Sequence, residues 1–267
     1  MIAELLAALV LVQSPACAPP DGADSLWEDA ATRFVFVGET HGTSEAPAAF
    51  AELVCARSAI GPVVVALEMP ADMQPDLDRW FASEGGPEAR DVLLTHDYWG
   101  LDHADGRSST AMLAMLQRLH GLQAAGRDLT VRAFQPSDGR TDGFDQSYYE
   151  LKMARLLIDA AMVRPEAKVL VLSGSLHAMK RPSPRHGFLF AAGHLNPSHV
   201  RSLITADQGG SVWACFGPTR ADCGAREIGA AFDPALRGVI LEPQQEGLWD
   251  GLLALGPTTA APPAAQE

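Results

Sequence analysis

Apolar positions along the chain fall into two textures. In one, β-branched, aliphatic and aromatic residues follow each other almost without a break: Phe34-Val-Phe-Val37, Pro62-Val-Val-Val-Ala-Leu-Glu68 and Lys168-Val-Leu-Val-Leu-Ser173, with a further strand over Asp128 to Phe134. Such runs suit strands buried on both faces, as in a parallel sheet covered by helices. In the other, apolar residues recur at spacings of three and four. Phe50, Leu53 and Val54 mark one helical face, Met112, Met115, Leu116, Leu119 and Leu122 a second, and Tyr149, Met153, Leu156, Leu157 and Ala160 a third. Ser44 is placed to cap the first of these helices, with Pro47 in its opening turn. Ser108 or Ser109 caps the second and Gly126 ends it, while Pro165 ends the third. A further helix over Gln74 to Ala82 stops at Glu84-Gly-Gly-Pro87.

Strands and helices alternating in this way predict an α/β fold, a mostly parallel central sheet flanked by helices. Beyond His177 the texture changes. Gly187 to Ala192, Val200 to Ala206, Ser211 to Phe216 and Gly238 to Leu241 predict extra, short antiparallel strands in the C-terminal third. The expected organisation is one α/β domain over 25–255 and a disordered Pro-, Ala- and Thr-rich tail over 256–267.

Composition narrows the function classes. A net charge of −13 leaves nothing to neutralise a run of phosphates, so nucleic acid is excluded as a partner. Leu5-Leu-Ala-Ala-Leu-Val-Leu-Val12 is too short to span a bilayer, and Ser14-Pro-Ala16 supplies small residues behind it. Residues 1–16 therefore read as a signal peptide, which implies export to the periplasm. Cys17 as a lipid anchor is an alternative. No later stretch is long and apolar enough to be a transmembrane segment. Cys215 and Cys223 could close a small disulfide loop or remain two thiols, and Cys55 falls on the core side of its helix. No two cysteines stand at C-x-x-C spacing.

Two of the buried runs end alike, in Gly38-Glu-Thr-His41 and Gly174-Ser-Leu-His177. A glycine there lets the chain turn sharply and brings backbone close to a ligand, and the histidine follows into the crevice above the sheet. A third run ends in Glu68. If the strands are neighbours, His41, His177, Glu39 and Glu68 converge. Such a group would bind a divalent metal, or act as general base and acid around a polarised carbonyl. Glu45, in the same turn as His41, is a further binding candidate.

Val37-Gly-Glu-Thr-His-Gly-Thr-Ser-Glu45 resembles the opening motif of the erythromycin esterase, ChaN-like and Tiki/TraB superfamily. The paired Gly-x-x-His elements and the strand-ending glutamate of Ala66-Leu-Glu-Met-Pro70 are similar to that group as well. The resemblance implies an α/β domain with its site at these strand ends. It carries a site role onto Glu39, His41, Glu68 and His177. Esterase members open a lactone ester with a histidine as general base, Tiki-like members are metal-dependent proteases, and ChaN-like members bind haem. The Glu-x-His spacing is ChaN-like, whereas His41-Gly-Thr-Ser-Glu45 looks esterase-like.

The expectation is an exported hydrolase acting on an ester or amide of a small-molecule or peptide substrate. His41 serves as general base or metal ligand, Glu39 orients it, and Glu68 and His177 complete a metal site or stabilise charge on the carbonyl. The alternative is a periplasmic haem- or metal-binding protein without turnover, and a third reading is an inactive relative that mediates contacts. Leu172-Ser-Gly-Ser-Leu176 lacks the nucleophile-elbow pattern, so a serine hydrolase is not expected. His96, Asp97, Trp99, Asp102 and His103 form either a substrate wall or a self-packed loop. Arg107 is an anion-binding or an ordinary turn arginine. His186, His194 and His199 read as surface residues.

Overall fold

Successive residues of the first strand, Phe34–Glu39 (β1), serve two different cores. Val35 and Val37 pack on one side with Phe50, Val54, Trp80, Leu116 and Leu119, while Phe34 and Phe36 pack on the other with Tyr149, Met153 and Leu157. The same division holds along Val63–Pro70 (β2) and Lys168–Gly174 (β4), which is why these strands lack alternation in sequence. The computed structural model describes residues 15–100, 106–137, 143–217 and 219–265. The signal-peptide residues up to Ser14, and Asp102 and His103, lie outside them.

Helix Glu45–Ser58 (α1) leads from β1 to β2. Gln74–Ala82 (α2), Pro87–Leu93 (α3) and Thr110–Ala124 (α4) lead to Leu129–Gln135 (β3), and Gln146–Val163 (α5) returns the chain to β4. Val200–Thr205 (β5), Gln208–Cys215 (β6), Cys223–Ala230 (β7), Gly238–Ile240 (β8) and Gly251–Ala254 (β9) complete the strands. The seven-stranded sheet runs β3-β2-β4-β1-β5-β9-β8, and β6 and β7 form a separate antiparallel pair. All neighbours in the large sheet are parallel except β8 and β9. Residues of α1 to α4 cover one face, and α5 with the 3-10 turn Ala191–His194 covers the other.

Three expectations for the C-terminal third are corrected. Val200 onward is a strand, but it lies parallel to β1, with Phe34 opposite Val200. Gly187 to Ala192 forms no strand: Gly187 takes a φ of 72°, and the Ala191 N–H donates to the buried Glu150 carboxylate instead of to a ladder. Residues 256–265 are ordered. They cross the ends of α1 and α4 as a strap, with Ser44 N–H donating to Thr259 C=O, Ala261 N–H to Gly42 C=O, and Thr110 N–H to Pro262 C=O. Pro- and Ala-rich sequence carries little intrinsic order, so the strap is held by these backbone bonds.

All four cysteines are paired. Cys55 sits in the core as expected and is bonded to Cys17, which occupies the sulfur that a lipid thioether would need. Cys215 and Cys223 join β6 to β7. Among the described residues no helix is long and apolar enough to cross a membrane.

A cross-link's effect on the unfolded chain grows with the loop it closes. Removing Cys17–Cys55, a separation of 38, should lower stability by about 4 kcal/mol, and removing Cys215–Cys223, a separation of 8, by about 2.5 kcal/mol. Denaturant unfolding of the two paired Cys→Ala variants compares them, and an equal or reversed order would contradict this account.

Candidate functional site

The sheet order makes β2, β4 and β1 adjacent at its centre, so their carboxyl ends open on one place. Glu39 ends β1, Glu68 lies near the end of β2, and His41 and His177 stand just beyond β1 and β4. The four residues singled out in the sequence do converge. The ring of His41 donates through Nδ1 to Glu39 Oε1 at 3.1 Å, and its Nε2 faces Glu68 Oε2 at 3.6 Å. His177 Nε2 faces the other oxygen of Glu68 at 3.5 Å, and its Nδ1 donates to Glu150 Oε2 at 2.8 Å. Glu68 thus bridges two imidazoles, each held from behind by its own carboxylate. The Gly174 N–H donates to Glu68 Oε2 at 2.7 Å, which fixes the bridge to β4.

The two glycines of the Gly-x-x-His elements work by close approach. Both lie inside strands with ordinary φ. A Cβ on Gly174 would stand 2.9 Å from His41 Nε2, and one on Gly38 would meet the Ser175 backbone and the Ala178 side chain at 2.9 and 3.0 Å. The left-handed turn comes later, at Gly42 (φ 84°), whose backbone lies against Gly106 (φ 96°). That backbone contact brings the Arg107 turn beside His41, and Arg107 Nη1 reaches 3.7 Å from Glu68 Oε1.

Depth separates the charges. Glu39, Glu68 and Glu150 are buried, while the side chains of His41, His177 and Arg107 retain 24%, 15% and 27% of their exposure. Burial pushes the Glu39 carboxyl above its usual range, against the pull of His41. For Glu68 burial acts in the same sense, but His177, His41 and Arg107 outweigh it and hold the carboxyl far below its usual range. Burial opposes the charge on each imidazole, and the carboxylates overcome it. Glu68 and Glu39 raise His41, and Glu68 and Glu150 push His177 up to about 10.

Glu150 was missed by the sequence reading, although one signal was present. It stands three and four residues before Met153 and Ala154, on the apolar stripe of α5, where a charged side chain needs a buried partner. Glu45 does not join the cluster: its carboxylate accepts from Thr259 N–H in the strap. Trp99 is core, and His96 accepts from the nearby Tyr98 N–H. His186 pairs with Ser183 and His194 with Leu189 C=O. Ser173 is buried within β4.

As hosts for a metal these residues are poorly arranged. Among the described residues no three His, Cys, Asp or Glu side chains are grouped to hold an ion, and Arg107 places a cation against the central carboxylate. Both Nδ1 atoms are committed to carboxylates, and both Nε2 atoms face Glu68.

No protein-family model matches this chain, and no curated protein does. Solved structures do. A mutant of erythromycin esterase EreC in its open conformation superposes with a TM-score of 0.59 over 78% of each chain, at 12% identity. The chain has the erythromycin esterase fold. A succinoglycan biosynthesis protein superposes at 0.63, with 10% identity over 89% of this chain and 91% of that one. A protein from Bacillus cereus superposes at 0.61, with 10% identity over 97% and 96%. The likeness covers 78% of this chain for the esterase and 89% and 97% for the other two, and it is one of fold.

The raised imidazole gives a pH signature. The folded pKa of His177, about 10, exceeds its ordinary 6.5, so the stabilisation it supplies is complete below 6.5 and is lost as pH climbs through about 10. The Glu68 contribution has the opposite sign, present above the ordinary 4.5 and lost as pH falls. Urea midpoints should therefore decline on the alkaline side, and His177→Gln should flatten that limb. An unchanged alkaline slope in the variant would count against the pairing.

Proposed function

We propose that the cluster is a hydrolytic site for a carboxylic ester or amide, with His41 as general base. The observation that carries this reading is the paired arrangement about Glu68. Two solvent-reaching imidazoles lie on either side of one anchored carboxylate, each oriented from behind by a buried acid.

In the reactive form His41 is neutral, its Nδ1–H donates to Glu39, and its Nε2, released from its ion pair with Glu68, accepts a proton from water. Water attacks the carbonyl carbon and gives a proton to Nε2, while the carbonyl π pair moves onto oxygen. Imidazolium His177 and the Arg107 guanidinium supply positive charge for that oxyanion. Collapse of the intermediate breaks the bond to the leaving oxygen or nitrogen, which takes a proton from His177 Nε2. The carboxylic acid product loses its proton to solvent, His41 releases to solvent the proton it took from water, and His177 recovers one. Glu68 remains anionic throughout and keeps the two rings at a fixed separation. The similarity to an erythromycin esterase supports the reading at the level of fold. Export through residues 1–16 belongs to the same proposal, and two disulfides are consistent with an oxidising compartment.

A base with a raised pKa predicts the form of the rate profile. Hydrolysis should rise with pH through a value above 6.5, as His41 loses its proton. His41→Ala should lower the rate by about a hundred- to ten-thousand-fold with the fold intact by circular dichroism. Glu39→Gln removes a buried negative charge and should move the rising limb to lower pH. A panel of ester and amide substrates assayed across pH tests this; turnover that survives His41→Ala refutes the assignment.

A further inference from the structure

Helix α5 buries Tyr149, Glu150, Met153, Ala154, Leu157, Ala160 and Ala161. Its opposite face is also apolar. Tyr148, Leu151, Ile158 and Met162 are exposed, Met162 by 70%, and with Arg155 they recur at intervals of three, four, three and four. That is the a/d seam of a coiled coil over two heptads, which a merely solvated helix face has no reason to keep. The positions that flank the seam carry opposite charges seven residues apart, Lys152 and Asp159.

We infer that α5 is the dimer surface of this protein, pairing antiparallel with α5 of a second copy across a twofold axis. The partner follows from the register. In antiparallel pairing Leu151 meets Met162 of the partner subunit and Arg155 meets Ile158 of the partner subunit, each twice by symmetry. Lys152 then lies beside Asp159 of the partner subunit, again twice, so every flanking charge meets its opposite. Arg155 is the one charged residue in the seam, and a single charge at a seam position selects one register over its neighbours. A parallel pair would leave Lys152 and Asp159 without that match. The seam is short, so the dimer forms at micromolar concentration and above. The inference is independent of the hydrolytic reading, although the same helix presents Glu150 to His177 from its inner face.

Sedimentation of the full chain over a series from low to high micromolar tests it. The expected result is a monomer–dimer equilibrium that Leu151→Glu or Ile158→Glu abolishes, both at exposed positions where folding is not at stake. Lys152→Asp and Asp159→Lys should each weaken association at least several-fold, and the double exchange should restore it. A protein that stays monomeric throughout the series overturns the proposal. So does a dimer indifferent to these substitutions, or a double exchange that fails to restore pairing. Binding of the monomer to anionic phospholipid vesicles, lost in Leu151→Glu, would assign the face to a membrane surface instead.

Discussion

The carboxylate of Glu68 is the constraint around which the fold is arranged. It lies at the end of a strand buried on both faces, where an ionised acid is costly unless neighbours satisfy it. Its neighbours come from three different parts of the chain: the Gly174 N–H and His177 beyond β4, His41 beyond β1, and Arg107 from the turn before α4. Only a sheet with β4 between β2 and β1 brings them together. Gly174 makes that proximity physically possible, since a side chain there would occupy the space of the His41 ring. Backbone topology and electrostatics therefore impose the same strand order.

The parts of this arrangement that were legible in sequence are those with a local signature. Unbroken Val/Leu runs gave the central parallel strands, because being covered on both faces removes alternation. Ser109, Gly126 and Pro87 marked helix ends through capping and turn chemistry that acts within a few residues, while Ser44 stands at the start of its helix without a side-chain cap. His41, Glu39, Glu68 and His177 were found together because strand ends in a parallel sheet share an edge. What escaped depends on distant partners. Whether β5 runs parallel or antiparallel is decided by β1, more than 160 residues earlier in the chain. The strap over 256–265 owes its order to Gly42, Ser44, Ser108 and Gly209, none of which its own composition reveals. Arg107 gained its place through the contact of Gly42 with Gly106, two glycines unremarkable when read separately.

Glu150 shows where local and distant reasoning meet. Its acyl oxygens are taken by His177, by the Ala191 N–H and by Gln146, so one buried acid orients a site histidine and also bends the segment after β4 away from a strand. A helix facing solvent would carry that acid outward. Here it points into the core, while the outward face of the same helix carries Leu151, Ile158 and Met162. α5 thus buries one acid within an otherwise apolar inner face and carries apolar residues on its outward face as well.

The buried Glu150 bears on how the site balances its charge. Glu39, Glu68 and Glu150 lie beneath, and His41, His177 and Arg107 lie above them, closer to solvent. When both imidazoles are protonated, three anions face three cations and the buried group is neutral as a whole. Withdrawing one proton from His41 leaves a net negative charge under the ring, which is the condition a general base needs to pull a proton from water. His177, pushed up to about 10 by Glu68 and Glu150, keeps its proton over the same range, as the proposed acid must. Glu68 raises both rings; they differ in the acid behind each, Glu39 against Glu150, and in Arg107, which lowers His41 alone. One carboxylate shared between two imidazoles, with different surroundings behind them, thus gives the rings the unequal hold on a proton that the proposed base and acid require.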